Sequence, residues 1–212
     1  MTTSCTFLHF YGRRRPSVML AAILLFGLAF VAAQQPRPCE SPAQWQAKLY
    51  RSDYSKNFTE FAKVTYDETN KRVREIEELD FNSDREFYDV LYLHNQGVEY
   101  RLGLKSRQCN KTALTRPFRP FGIPPESRYE GEFNLGPVNI PNEHVTVISF
   151  FGKFEDGSEY VGTVSSPDCI PVSSGFYANT TGFVHTSFYD VVPGIPDPTV
   201  FDIPSECGGP GR

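Results

Sequence analysis

Beyond residue 33 the chain has no apolar stretch able to hold it in a bilayer, because a spanning helix needs roughly 20 consecutive apolar residues. Catalytic signatures are missing as well. No glycine-framed serine forms a nucleophile elbow, and past residue 33 only His94, His144 and His185 occur, scattered along the chain. A histidine-based active site would have to be assembled from distant pieces. There is no dinucleotide fingerprint, phosphate loop, helix-loop-helix calcium loop or histidine-pair zinc motif. Cationic side chains are in deficit, with 21 Lys and Arg against 25 Asp and Glu. Such a surface argues against nucleic acid as a partner, since phosphate binding needs a basic face. Cysteine is sparse, five in 212 residues, and no two lie close enough to suggest a zinc site. No catalytic residues and no cofactor are therefore expected.

At the amino terminus, Arg13, Arg14 and Arg15 precede an uncharged apolar run from Val18 to Ala33 that ends in small residues. This is the pattern of a secretory signal peptide, cleaved after Ala33, and the run is short for a membrane span. Residues 34–212 are expected to form a single domain, large enough to bury a core. Loss of the three arginines takes the formal charge from −4 to about −7. Cys5 leaves with the signal, and Cys39, Cys109, Cys169 and Cys207 remain, an even number suited to two disulfides in an oxidising compartment. Three sequons, at Asn57, Asn110 and Asn179, predict exposed backbone carrying asparagine-linked sugar.

Ser41-Pro42 combines a capping residue with a proline at the first helical position and predicts a short helix over Ala43 to Leu49. Beyond it the pattern becomes all-β, with about nine strands. One hairpin is predicted from Phe58–Tyr66 and Arg72–Leu79, a second from Phe87–His94 and Val98–Leu104, and a third from Val145–Phe154 and Tyr160–Ser165 across Asp156-Gly157. Tyr129 to Leu135, Ile170 to Ala178 and Phe183 to Val192 supply further strands, and Asp197-Pro198 should open a short helical turn through Phe201. The acids between Glu75 and Asp80 read as a solvated strand face rather than paired catalytic carboxylates. The stretch RPFRPFGIPPES, Arg116 to Ser127, is too long for a hairpin turn and too aromatic for a flexible linker. It reads as an ordered crossover; the alternative is a polyproline ligand for another protein.

The 18 Phe and 11 Tyr suggest more than an ordinary core. A curved antiparallel sheet can enclose an apolar cavity lined by its own strands. Strand alternation selects Tyr100, Leu102, Leu104, Tyr129, Phe133 and Leu135 as inward, pocket-lining candidates.

The start PCESPAQWQ around Cys39, the QCNKT segment at Cys109, the PDCIPVSSGFY segment at Cys169 and the ending SFYDVVPGIPDPTVFDIPSEC at Cys207 together resemble the ependymin family over essentially the whole mature chain. The resemblance implies secreted glycoproteins built from two stacked, curved antiparallel sheets, similar to bacterial lipoprotein carriers, around a deep hydrophobic pocket, pairing as homodimers. It implies association with extracellular fluid, with the lysosomal lumen, with calcium and with lipids. It also implies the bridges Cys39–Cys169 and Cys109–Cys207, one of the three pairings that four cysteines allow. The cysteines of an additional bridge carried by some relatives are missing, and calcium ligands do not transfer residue by residue. The expected function is non-catalytic binding of a lipid-like hydrophobic molecule in a pocket between sheets. The alternative is an extracellular adhesion or signalling protein that works through its dimer surface and glycans, modulated by calcium.

Overall fold

The computed structural model describes residues 35–81, 84–179 and 182–209; the predicted signal segment lies outside them. Eleven strands form one antiparallel sheet: β1 Gln44–Asp53, β2 Phe58–Asp67, β3 Arg72–Phe81, β4 Asp84–Leu93, β5 Val98–Gly103, β6 Cys109–Ala113, β7 Arg128–Leu135, β8 Val145–Lys153, β9 Glu159–Ser165, β10 Pro171–Ala178 and β11 Gly182–Pro193. Their order is β6-β5-β4-β3-β2-β1-β11-β10-β9-β8-β7, two meanders joined where the first strand pairs with the last. The all-β class is as expected, and where the resemblance implies two sheets the hydrogen-bonded ladder runs unbroken through β1 and β11.

The helix expected over Ala43 to Leu49 is instead the start of β1. Trp45, Ala47 and Leu49 are buried while Gln46 and Lys48 are not, a period of two rather than 3.6. Ladders to β2 on one side and β11 on the other satisfy its backbone, and this tertiary pairing outweighs a local capping signal. The second strand not anticipated is β6, a short edge strand whose chain is mostly exposed and so carries little alternation. Asp156-Gly157 turns the third hairpin as predicted, with Gly157 at φ 81° and the Ser158 amide donating to Asp156. The turn after Asp197 also forms, a 3-10 helix over Pro198–Phe201 capped by the Asp197 carboxylate.

Residues 114–127 connect β6 to β7, the two outermost strands, so they must cross one whole face of the sheet. Flat strands spaced ~4.8 Å apart would put those edges ~48 Å from each other, close to the full reach of a connection this long at ~3.5 Å per residue. The crossover lies over the sheet as an ordered segment. Phe118 and Phe121 pack into the cluster of Trp45, Leu49, Val64, Tyr66 and Phe188. The Trp45 ring stacks on Tyr66 at 5.1 Å and meets Phe121 edge-on at 5.2 Å. The Phe121 amide donates to the Tyr66 hydroxyl at 2.9 Å. Further on, Ile123 joins Ile148, Phe150 and Val164. Gly162 permits that approach, because a Cβ there would lie 2.5 Å from the tip of Ile123. Residues 39–41 hydrogen-bond along the crossover, and the Cys39–Cys169 bridge ties them to the β9–β10 loop.

The back of the sheet is covered on one half only. Ile195, Val200, Phe201 and Ile203 of the carboxy-terminal tail pack on Leu91, Leu93 and Tyr100, and Cys109–Cys207 fastens the tail to β6. Arg74 forms a two-pronged pair with Asp89, both nearly buried, and donates onward to the Val200 and Asp202 carbonyls. Removing one member of a buried pair strands the other charge. Asp89→Ala is expected to lower the unfolding free energy by about 3–5 kcal/mol, measured by urea denaturation. A loss under about 1 kcal/mol, the worth of an exposed pair, would contradict this role for the pair.

Candidate functional site

A large cavity, about 1410 Å³, lies between the crossover and the β9–β10 part of the sheet. Its lining is mainly apolar and includes Phe121, Ile123, Phe154, Tyr160, Val164 and Phe176. The volume exceeds the roughly 300–1,000 Å³ of ordinary small-molecule pockets. A second cavity of about 500 Å³ extends under the crossover toward β3 and β4. Arg119, Phe121 and Ser174 line both, so the two spaces are neighbours along one trough. The floor of the second is aromatic, from Trp45, Tyr66 and Phe188, and its far end is charged, from Arg51, Glu75 and Arg116.

Behind that end lies a buried charge cluster. On β3, Glu75 and Glu77 point toward the crossover, in place of the solvated face expected of this strand. Alternation divides the acids: Glu75 and Glu77 are buried, while the Glu78 side chain pairs with exposed Arg85 on the other face. Arg51 on β1 bonds Glu60 at 2.7 Å and Glu75 at 3.4 Å, and Arg101 on β5 bonds Glu77 at 2.9 Å. Each arginine thus reaches across strands to an acid that could not be buried alone. Burial, followed by the adjacent Glu75 charge, pushes the Glu77 carboxyl up to about 7 against the pull of Arg101. Glu60 is also raised by burial, with Arg51 opposing, and one of its oxygens is buried without a hydrogen-bond partner. His94 is driven toward the neutral form by burial and by nearby Arg116.

Carboxylate oxygens of Glu60, Glu75 and Glu77 converge within 4.8 Å. This group does not fit the calcium that the resemblance implies. Calcium takes roughly six to eight oxygens, whereas these three acids are already bonded by two guanidiniums, Arg51 shared between Glu60 and Glu75 and Arg101 on Glu77.

Of the six pocket candidates from strand alternation, none lines either cavity. Tyr100 and Leu102 are buried on the back of the sheet, Tyr100 beneath the tail, and Leu104 lies half-buried just after β5. Tyr129 faces the crossover side and packs edge-on against Phe150. Phe133 and Leu135, expected on the same face as Tyr129, are exposed on the back. A bulge between Tyr129 and Gly131 reverses the alternation, because one extra residue moves all that follow to the other face. The residues that do line the main cavity come largely from the crossover and from β9 and β10. Their signal was RPFRPF, two tripeptides in which phenylalanine packs down and arginine stays at the rim. The sequon asparagines Asn57, Asn110 and Asn179 are all exposed.

Glu77 gives a pH test. A carboxyl whose folded pKa is raised holds its proton more tightly when folded, so it favours the fold on the acid side. That contribution is lost as pH rises from 4.5 through about 7. Glu77→Gln, neutral throughout, is expected to raise Tm at neutral pH and to flatten the dependence of Tm on pH across that window. Thermal unfolding at intervals of pH reads it, and an unchanged slope would show that Glu77 is not the group titrating there.

The family model of ependymin matches residues 82–207. Mammalian ependymin-related protein 1 of Rattus norvegicus is 30% identical over 188 residues, covering 87% of this chain and 83% of its own. The Mus musculus protein of the same name is 31% identical over 81% of this chain and 77% of its own. Ependymin of Esox lucius is 30% identical over 68% and 66%. Among solved structures, an uncharacterized conserved protein from Thermus thermophilus aligns with TM-score 0.49 at 12% identity, over 87% of this chain and 96% of that one.

Proposed function

Because the chain belongs to the ependymin family, a membership that supports a secreted, non-enzymatic protein, we propose that it carries a lipid-like hydrophobic ligand in the trough between its crossover and its sheet. The observation that supports this most is the apolar cavity of about 1410 Å³ roofed by the proline-rich segment. Binding is by burial of apolar surface, with no covalent step. The roof is held by aromatic packing and by the Cys39–Cys169 bridge, so the cavity exists before the ligand arrives. A preformed site avoids the cost of ordering a loop on binding. No helix among the described residues is long and apolar enough to cross a membrane. In an acidic lumen such as the lysosome, Glu77 would be protonated and the charge cluster behind the trough altered.

We further propose a homodimer, formed through the uncovered half of the sheet's back. There Phe133, Val145, Val161, Tyr177 and Phe183 are exposed on adjoining strands β7 to β11. A contiguous apolar face of this kind marks an interaction surface on a water-exposed protein. The same face favours the second reading, an adhesion or signalling protein acting through its dimer surface and glycans. Calcium would then act on surface carboxylates rather than on the buried cluster.

Glycosylated protein from a secretory host, extracted with organic solvent, is expected to release about one lipid per protomer on mass spectrometry. Ser174→Trp, placed where the two cavities meet, should abolish that yield without lowering Tm by more than a few degrees. Equal recovery from wild type and variant, or none from either, would defeat the carrier reading. For the dimer, Phe133→Lys with Phe183→Lys is expected to give monomers in analytical ultracentrifugation while leaving bound lipid in place. Persistence of the dimer would move the interface elsewhere.

A further inference from the structure

We infer that the back of the sheet carries a site for a neutral saccharide, set between the β2–β3 turn, the β4–β5 turn and the carboxy-terminal tail, and independent of the carrier reading. A cavity of about 480 Å³ lies there, within the roughly 300–1,000 Å³ of ordinary small-molecule pockets. None of the residues lining it lines the trough. Asn70 on the first turn, Asn95 and Gln96 on the second, Arg72 on β3 and Asp202 on the tail supply planar polar groups. Leu93, Phe201 and Ile203 supply an apolar side.

The polar groups are held in place from behind. Asp67, at the end of β2, is wholly buried and accepts from the Gln44 side chain at 3.0 Å, the Asn70 side chain at 2.8 Å and Arg72 Nε at 2.7 Å. The Asn95 side chain donates to the Asn70 backbone carbonyl at 3.0 Å, which couples the two turns. Arg72 also lies over the Phe201 ring at 4.0 Å. Side chains fixed in this way need little further ordering around a ligand. These bonds leave the side-chain oxygens of Asn70 and Asn95 as acceptors and the terminal nitrogens of Arg72 as donors. The side chains of Gln96 and Asp202 are exposed and have no partner among the described residues.

Charge then narrows the ligand. Arg72 is already compensated by Asp67, whereas Asp202 has no cation bonded to it among the described residues. An anion is therefore disfavoured by Asp202, and a cation would approach the Arg72 guanidinium. A molecule that donates and accepts hydrogen bonds, carries no charge and has one apolar face meets all of these walls. Neighbouring hydroxyls of a pyranose ring match the two-atom forks of amide, carboxylate and guanidinium, and each hydroxyl can donate or accept. The ring C–H groups take the apolar side. Because Asn70, Asn95, Gln96 and Asp202 are exposed, the opening admits either a free sugar or the terminal unit of a glycan chain.

Saturation-transfer NMR on the full secreted protein tests this with methyl α-mannopyranoside, methyl β-galactopyranoside, N-acetylglucosamine and the anionic N-acetylneuraminate. At least one of the neutral sugars should receive saturation, and N-acetylneuraminate should receive none. Gln96→Ala/Asp202→Ala removes two side chains that bond nothing in the fold, so Tm should hold while binding weakens roughly tenfold or more, as expected for the loss of two hydrogen-bonding groups. Ser174→Trp, in the trough, should leave sugar binding unaltered. An array of glycans ending in the same sugar separates the sources: tighter binding than to the monosaccharide identifies a glycan chain, and equal binding the free sugar. The inference is overturned, with the carrier reading untouched, if no neutral sugar receives saturation or if N-acetylneuraminate binds as tightly as any of them. Binding that survives the double variant, or that is lost in Ser174→Trp, would equally overturn it.

Discussion

The pairing of β1 with β11 puts the first and last strands in the middle of the sheet and leaves β6 and β7, adjacent in sequence, at its two edges. The trough follows from that one ladder. The chain between β6 and β7, residues 114–127, has to run from one edge of the sheet to the other. It lies against the sheet, contributes Phe118, Phe121 and Ile123 to two clusters, and leaves a cavity over β9 and β10, where Gly162 and Ser174 put little bulk on the crossover face. Proline also removes backbone donors that would otherwise need partners above the sheet.

The two faces of the sheet are finished differently. On the crossover side, apolar packing around Trp45 and Phe150 passes into a charged region at β1 to β5, where Arg51 and Arg101 bond three buried glutamates. Buried pairs of this kind add little net stability compared with apolar packing. Their effect is to keep one end of the trough polar and the other apolar. On the back, the tail seals β3 to β6 through Arg74, Phe201 and a disulfide, and β7 to β11 stay open with their aromatic side chains outward.

Much of the fold was legible in the sequence. Nine strands were readable because aromatic and β-branched runs alternate and turn residues punctuate them. β1 was not, because Ser41-Pro42 is a genuine local helix-start signal and only pairing on both edges overrides it. β6 was missed because an exposed edge strand needs no alternation. The pocket was the least legible part. Alternation says that Tyr100 and Leu102 are buried, and they are, but it does not say on which side of the sheet, and here they face away from the crossover. For Phe133 the alternation itself fails at a bulge with no signature beyond Gly131. Likewise Glu75 and Glu77 looked solvated because their arginine partners are 24 residues distant in each case, and no local pattern reveals such a pairing.

The proposed carrier role places a hydrophobic ligand under the crossover rather than on the open face. Photolabelling of the purified protein with an alkyl chain carrying a diazirine, followed by peptide mapping, addresses it directly. Label is expected on the crossover peptide containing Phe121 and Ile123 and on β9 and β10 near Val164 and Phe176. Label confined to Phe133, Tyr177 or Phe183 would contradict it and make the exposed sheet face the binding surface.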